Sequence, residues 1–123
     1  MAKPSFVTFD VPADVVNKIY EALSLANTTG KIRRGVNEAT KAIERGSAKF
    51  IVIAEDVTPE EVIMHLPLLC KEKKIPYAFV PTKAELGKAS GIDVPTSSLA
   101  VLEEGDSKKI FAEVKAKLDA LIK

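Results

Sequence analysis

In the run Arg33-Arg34-Gly35-Val36-Asn37-Glu38-Ala39-Thr40-Lys41, the polar groups able to do chemistry crowd into one short span. On a helix, Asn37 and Lys41 are four apart and share a face, with Glu38 adjacent. An amide donates and accepts, a carboxylate only accepts and an ammonium only donates, so the three together can read the edges of nucleic-acid bases. The Arg33-Arg34 pair and the free N–H groups of a helix start favour phosphate. An ordinary solvated helix carries the same residue types, so the weight of this pattern depends on the rest of the chain.

The spacing predicts a helix from Gly35, a possible N-cap, to Gly46, a C-terminal glycine, with Val36, Ala39, Ala42 and Ile43 as its apolar stripe. Lys31 to Arg34 leads into it as a short extended link or strand. Before it, Phe6 to Asp10 is extended. Pro12 and Asp14 then suit the start of a helix carrying Val15, Val16, Ile19, Leu23 and Ala26 up to Gly30. Phe50 to Ala54 is a continuous apolar run of the kind buried in mid-sheet, and Tyr77 to Val80 and Ser98 to Leu102 read as further strands. Thr58-Pro59-Glu60-Glu61 and Thr82-Lys83-Ala84-Glu85 are helix starts, and Pro67 should split the first of these helices after about Leu66. Gly91 closes the second, Ile92 to Thr96 is a loop, and Asp106 or Ser107 caps a last helix lined by Ile110, Phe111, Val114, Leu118, Leu121 and Ile122. Helices alternating with short apolar strands indicate a three-layer α/β/α domain with a small mixed or parallel sheet.

At 123 residues the chain is one domain, 1–123. No apolar run approaches the roughly 20 residues of a membrane span, and the first residues lack the apolar core of a signal peptide, so a cytoplasmic protein is expected. The single cysteine, Cys70, rules out an internal disulfide or multi-cysteine zinc site and reads as a buried hydrophobe. With 18 basic against 17 acidic residues, bulk charge does not coat nucleic acid, and any such site must be local. His65, the one histidine, lies in an apolar stretch with no cysteine beside it and reads as structural. Leu86-Gly87-Lys88-Ala89-Ser90-Gly91 has the wrong glycine spacing for a phosphate-binding loop. Asp56 stands where an α/β enzyme could keep an acid, yet an Asp there is equally ordinary turn chemistry. No acid, base and nucleophile set emerges, and no cofactor is implied.

The segment Arg34 to Lys41, followed by Phe50-Ile51-Val52-Ile53-Ala54-Glu55-Asp56, resembles the archaeal large-subunit ribosomal proteins of the L-seven-Ae family. His65-Leu66-Pro67-Leu68-Leu69-Cys70, Pro76 to Val80 and Leu86 to Gly91 follow in that family's order, so the resemblance covers nearly the whole chain. It implies an α/β/α sandwich around a four-stranded mixed sheet and a non-enzymatic protein that binds RNA kink-turns. The implied cargoes are ribosomal RNA and box C/D and H/ACA guide RNAs. The implied partners are the box C/D scaffold protein and the fibrillarin-like methyltransferase, with the chain monomeric when free.

Carried over residue by residue, the resemblance places Gly35, Asn37, Glu38 and Lys41 at tandem sheared G·A pairs. Glu38 would accept from a guanine amino or imino group, while Asn37 and Lys41 donate to O6 or N7. Ile92 and Val94, with Asp93 between them, would cover nucleotides flipped out at the kink, and this loop resembles the archaeal form, which implies tolerance of varied kink-turns. Lys31, Arg33, Arg34, Lys83 and Lys88 are assigned to phosphate from charge and neighbourhood. Two other readings stand beside this one: a protein-binding adaptor using Ile92 and Val94 with the acidic stretch Glu55 to Glu61, and a small nucleotide-binding enzyme around Asp56 and the loop after Val80.

Overall fold

In a computed structural model of the chain, the described residues are 13–56, 65–91 and 95–121. Helix α1, Ala13–Thr29, buries Val15, Val16, Ile19, Ala22, Leu23 and Ala26 on the expected stripe. Strand β1, Lys31–Arg34, leads into α2, Val36–Arg45, which buries Ala39, Ala42 and Ile43 and ends at Gly46 in the left-handed conformation (φ 70°). Strand β2, Phe50–Ala54, is buried along its full length, as its uninterrupted apolar sequence requires. It is followed by α3, His65–Lys73, then β3, Tyr77–Val80, and α4, Lys83–Ala89. Strand β4, Ser98–Glu103, and α5, Lys108–Leu121, complete the described elements.

The sheet is mixed and four-stranded, in the order β1-β4-β2-β3. β4 runs antiparallel to both β1 and β2, and β2 runs parallel to β3. Helices cover the sheet in an α/β/α sandwich, with α1 packed on α4 and α5 and with α2 packed on α3. The Phe50 and Phe111 rings meet with centroids 5.0 Å apart, tying β2 to α5. No helix among the described residues is long and apolar enough to cross a membrane.

Two boundaries differ from the sequence reading. Pro67 does not split a helix: it is a buried residue in the first turn of α3, where a backbone N–H has no intrahelical acceptor and its loss is harmless. Ser107 stands just before α5 but closes a 3₁₀ turn, Gly105–Ser107, its hydroxyl donating back to the Glu104 carbonyl. The cap at Thr82 forms as read, its hydroxyl accepting the Glu85 N–H at 3.2 Å. The extended lead-in at Phe6 to Asp10, the helix start at Thr58 to Glu61, the loop residues Ile92 to Val94 and the helix residue Ile122 lie outside the described residues.

The sheet has two ends with different consequences. Ser98, the C-terminal end of β2 at Ala54 and the turn from β1 into α2 share one end. Glu103, Lys31 and the start of β2 share the other, since Lys31 pairs with Glu103 and Phe50 with Val101. The run that opens α2 is therefore held at the first end.

Candidate nucleic-acid interface

Gly35 is the hinge between β1 and α2. Its φ of 98° and ψ of 154° belong to a region that residues with a Cβ rarely enter. Its N–H donates to the Ser98 carbonyl at 2.8 Å, and its own carbonyl accepts the Ala39 N–H at 3.0 Å, opening the helix. No side chain caps this helix start. Its first N–H groups are left to other acceptors.

Asn37, Glu38 and Lys41 are exposed, and among the described residues none has a hydrogen-bond or ion-pair partner. Asn37 and Lys41 line a cleft of about 480 Å³ with Val36, Thr40, Glu44 and His65, between α2 and α3. Glu38 faces the other flank of α2 and shares a recess of about 540 Å³ with Ile32, Arg33, Arg34 and Arg45. The helix thus presents a ridge, with amide and ammonium on one side and carboxylate among arginines on the other. A ridge of unpartnered donors and acceptors fits into a groove more readily than it encloses a small molecule.

The neighbours of this ridge are held rigidly. Thr40 Oγ1 donates to the Val36 carbonyl at 2.7 Å and lies 2.8 Å from His65 Nε2. With its only hydrogen committed to Val36, the hydroxyl accepts, so Nε2 of His65 is the donor. His65 joins α3 to α2 as a structural histidine. Arg34 is half-buried and bridges three segments: Nη2 donates to Asn27 Oδ1 at 2.8 Å and to the Ser90 carbonyl, and Nε donates to Ser90 Oγ at 3.2 Å. Next to it, Gly91 takes φ 90°, and a Cβ there would lie 2.3 Å from Asn27 Nδ2. Asn27, Arg34, Ser90 and Gly91 form one joint between α1, β1 and the end of α4.

The other residues read as phosphate contacts scatter. Arg33 is exposed on the Glu38 flank, whereas Lys31 is exposed at the opposite end of β1. Lys83 and Lys88 are on α4; Lys83 is half-buried, its backbone N–H donating to Asp56 Oδ1 at 2.8 Å. That bond makes Asp56 the anchor for the start of α4. Burial pushes the Cys70 thiol up to about 12, so it is not a nucleophile at neutral pH. Among the described residues no group of His, Cys, Asp and Glu could hold a metal ion. The sequence reading missed Arg45, which lies one heptad after Glu38 and so returns to its face, and Glu44, which returns to that of Asn37.

Residues 17–111 match the family described as ribosomal protein L7Ae/L30e/S12e/Gadd45. Among solved structures, the Giardia lamblia 15.5kD RNA binding protein superposes with a TM-score of 0.91 at 30% sequence identity, over 97% of this chain and 99% of that one.

Two outcomes follow from the geometry. Gly35→Ala places a Cβ in open space, so the loss comes from backbone strain alone, and urea denaturation should show about 1–3 kcal/mol lower stability. Arg34→Ala should lower stability by about 1–2 kcal/mol through its bonds to Asn27 and Ser90, whereas Arg33→Ala should leave the denaturation midpoint unchanged.

Proposed function

This chain belongs to the ribosomal protein L7Ae/L30e/S12e/Gadd45 family, and from that membership we propose that it recognises RNA kink-turns through the start of α2 and stabilises their bent form. The family is of the RNA-binding ribosomal and ribonucleoprotein type rather than enzymatic, and an RNA partner is what the chain shares with it. The observation that supports the finer reading is the contrast at one helix end: Asn37, Glu38 and Lys41 are exposed and unpartnered, while the elements beneath them are locked by Gly35, Thr40 and His65.

An undistorted A-form major groove is too narrow for side chains, so a ridge of this width needs a kinked, widened groove. There Glu38 accepts from a guanine amino or imino group, and Asn37 and Lys41 donate to O6 or N7. Arg33 and Arg45, flanking Glu38, keep phosphates in register, and Lys88 extends that contact from α4. Arg34 acts as a positioning residue: it holds Ser90, and so the start of the segment Ile92 to Val94, whose apolar side chains cover the flipped nucleotides in this reading.

An RNA that samples both forms shifts toward the bent one, because only that form offers the groove. The cargoes in this reading are ribosomal RNA and box C/D and H/ACA guide RNAs. In the box C/D particle, chemistry belongs to the fibrillarin-like methyltransferase beside its scaffold protein, and this chain supplies RNA architecture in the cytoplasm.

The test is a titration at matched salt against a kink-turn RNA and a twin whose tandem G·A pairs are replaced by Watson–Crick pairs. Tight binding to the first alone is expected, and Glu38→Ala should weaken it by about 1–3 kcal/mol and narrow the difference between the two RNAs. Equal affinity for both RNAs would sink the reading.

A further inference from the structure

A second basic site lies at the other end of the sheet. There the start of β2, the loop before β3 and the first turns of α5 enclose a cleft of about 350 Å³. Lys49, Lys74, Lys108 and Lys115 line it, with Glu104 as the one acidic residue. The four ammoniums come from three separate stretches, Lys108 and Lys115 sharing α5, of a chain whose net charge is only +1, so folding gathers them against the average. All four side chains are exposed, and among the described residues none has an ion-pair or hydrogen-bond partner.

Lys74 adds an independent observation. It is the one non-glycine among the described residues with positive φ, at 58°, in the position just past α3. The corresponding position after α2 is Gly46, the residue that takes this conformation without a Cβ penalty. The negative end of the α3 dipole accounts for Lys71 and Lys73 in its last turn, but it does not require a side chain at the strained position. What Lys74 contributes in exchange for the strain is an ammonium at the mouth of the cleft.

Resting on the kink-turn reading, we propose that this cleft is a second, sequence-independent RNA site, which takes the phosphate backbone of an RNA segment other than the one held by α2. Lysine ammoniums are donors only, so the rim asks for a ligand rich in acceptors and negative charge. The Phe50 and Phe111 rings on the floor are 1% and 2% exposed, so no aromatic face is open for a base to stack on. Contact is therefore through charge, with phosphate, and not through base stacking. Along β4 the two sites stand about 17 Å apart, from Ser98 to Glu103 at roughly 3.4 Å per residue. One kink-turn groove occupying the α2 end leaves this pole free for a neighbouring helix of a large RNA.

The experiment saturates the protein with a minimal kink-turn RNA and then titrates a labelled plain RNA duplex of about 24 base pairs at low salt. A ternary complex is expected. Lys74→Glu combined with Lys108→Glu should weaken duplex binding about tenfold or more and make its salt dependence shallower by about two in log–log slope, with kink-turn affinity within about twofold of wild type. Lys74→Gly separates function from folding: its thermal midpoint should equal or exceed wild type while duplex affinity falls. Displacement of the kink-turn RNA by duplex, or duplex binding indifferent to the lysine substitutions, would overturn the proposal. So would lysine-dependent binding of an alternating leucine–glutamate peptide in place of duplex, which would make the cleft a protein-docking site. Should the kink-turn RNA and its Watson–Crick twin bind alike, the α2 reading alone fails, because duplex binding to the free protein still reports on the lysines.

Discussion

The hydrogen bond from the Gly35 N–H to the Ser98 carbonyl, 2.8 Å long, couples the helix that carries the polar ridge to the central part of the sheet. Ser98 is buried and paired with Ile53 of β2, while the next residue, Leu99, pairs with Arg34. The chain leaves β1, turns and begins α2 within a single residue at a φ of 98°, a conformation that a residue without a Cβ takes at least cost. Below it, Ala39 and Ile43 are fully buried, so α2 is fixed by packing along its length and by backbone at its start. Side chains mounted on such an element have a defined direction, which recognition by a few polar groups demands.

Around that helix the charged and polar residues divide by what they already bond. Arg33 and Arg34 are neighbours in sequence, yet alternation along β1 turns one outward and sets the other against Asn27 and Ser90. Thr40 and His65 are likewise joined to each other, whereas Asn37, Glu38 and Lys41 have no partner among the described residues. The structural contacts stiffen the surface on which the unpartnered groups stand. A guanidinium bonded to a carbonyl, a hydroxyl and an amide holds three segments in one geometry that a lysine could not reproduce.

Much of this was legible in the sequence because it is local. The stripe of α2, the uninterrupted apolar run of β2 and the Thr82 cap are each set by residues within a few positions, and each forms where the pattern puts it. Pro67 misled because a proline is read as a breaker unless its place in the first turn is known, and that depends on where the helix starts. Arg34 and Lys31 are assigned to phosphate from charge and sequence neighbourhood, which carry no information on pairing. Strand pairing decides that Lys31 stands beside Glu103, a full strand length from Gly35, and tertiary packing brings Ser90 to Arg34 across 56 positions of sequence. Nothing local encodes either. The lysine cleft is illegible for the same reason, since Lys49, Lys74 and the α5 pair Lys108 and Lys115 belong to three separate stretches.

A chain with 18 basic and 17 acidic residues has little long-range field with which to gather RNA, so its charges matter through position. Antiparallel pairing of β4 with both β1 and β2 creates two poles and sends each connecting segment to one of them. The α2 pole offers unpartnered groups of three kinds on a locked helix, a combination suited to discriminating one RNA shape from another. The opposite pole offers four ammoniums against the single carboxylate of Glu104, around a floor whose rings are already buried, a combination that favours negative charge and discriminates little else. The two poles therefore differ in the variety of their polar groups and not in the sign of their charge, since Arg33 and Arg45 flank Glu38 at the α2 end. In a small domain with a net charge of only +1, what distinguishes the two ends is which groups the fold leaves unpartnered there.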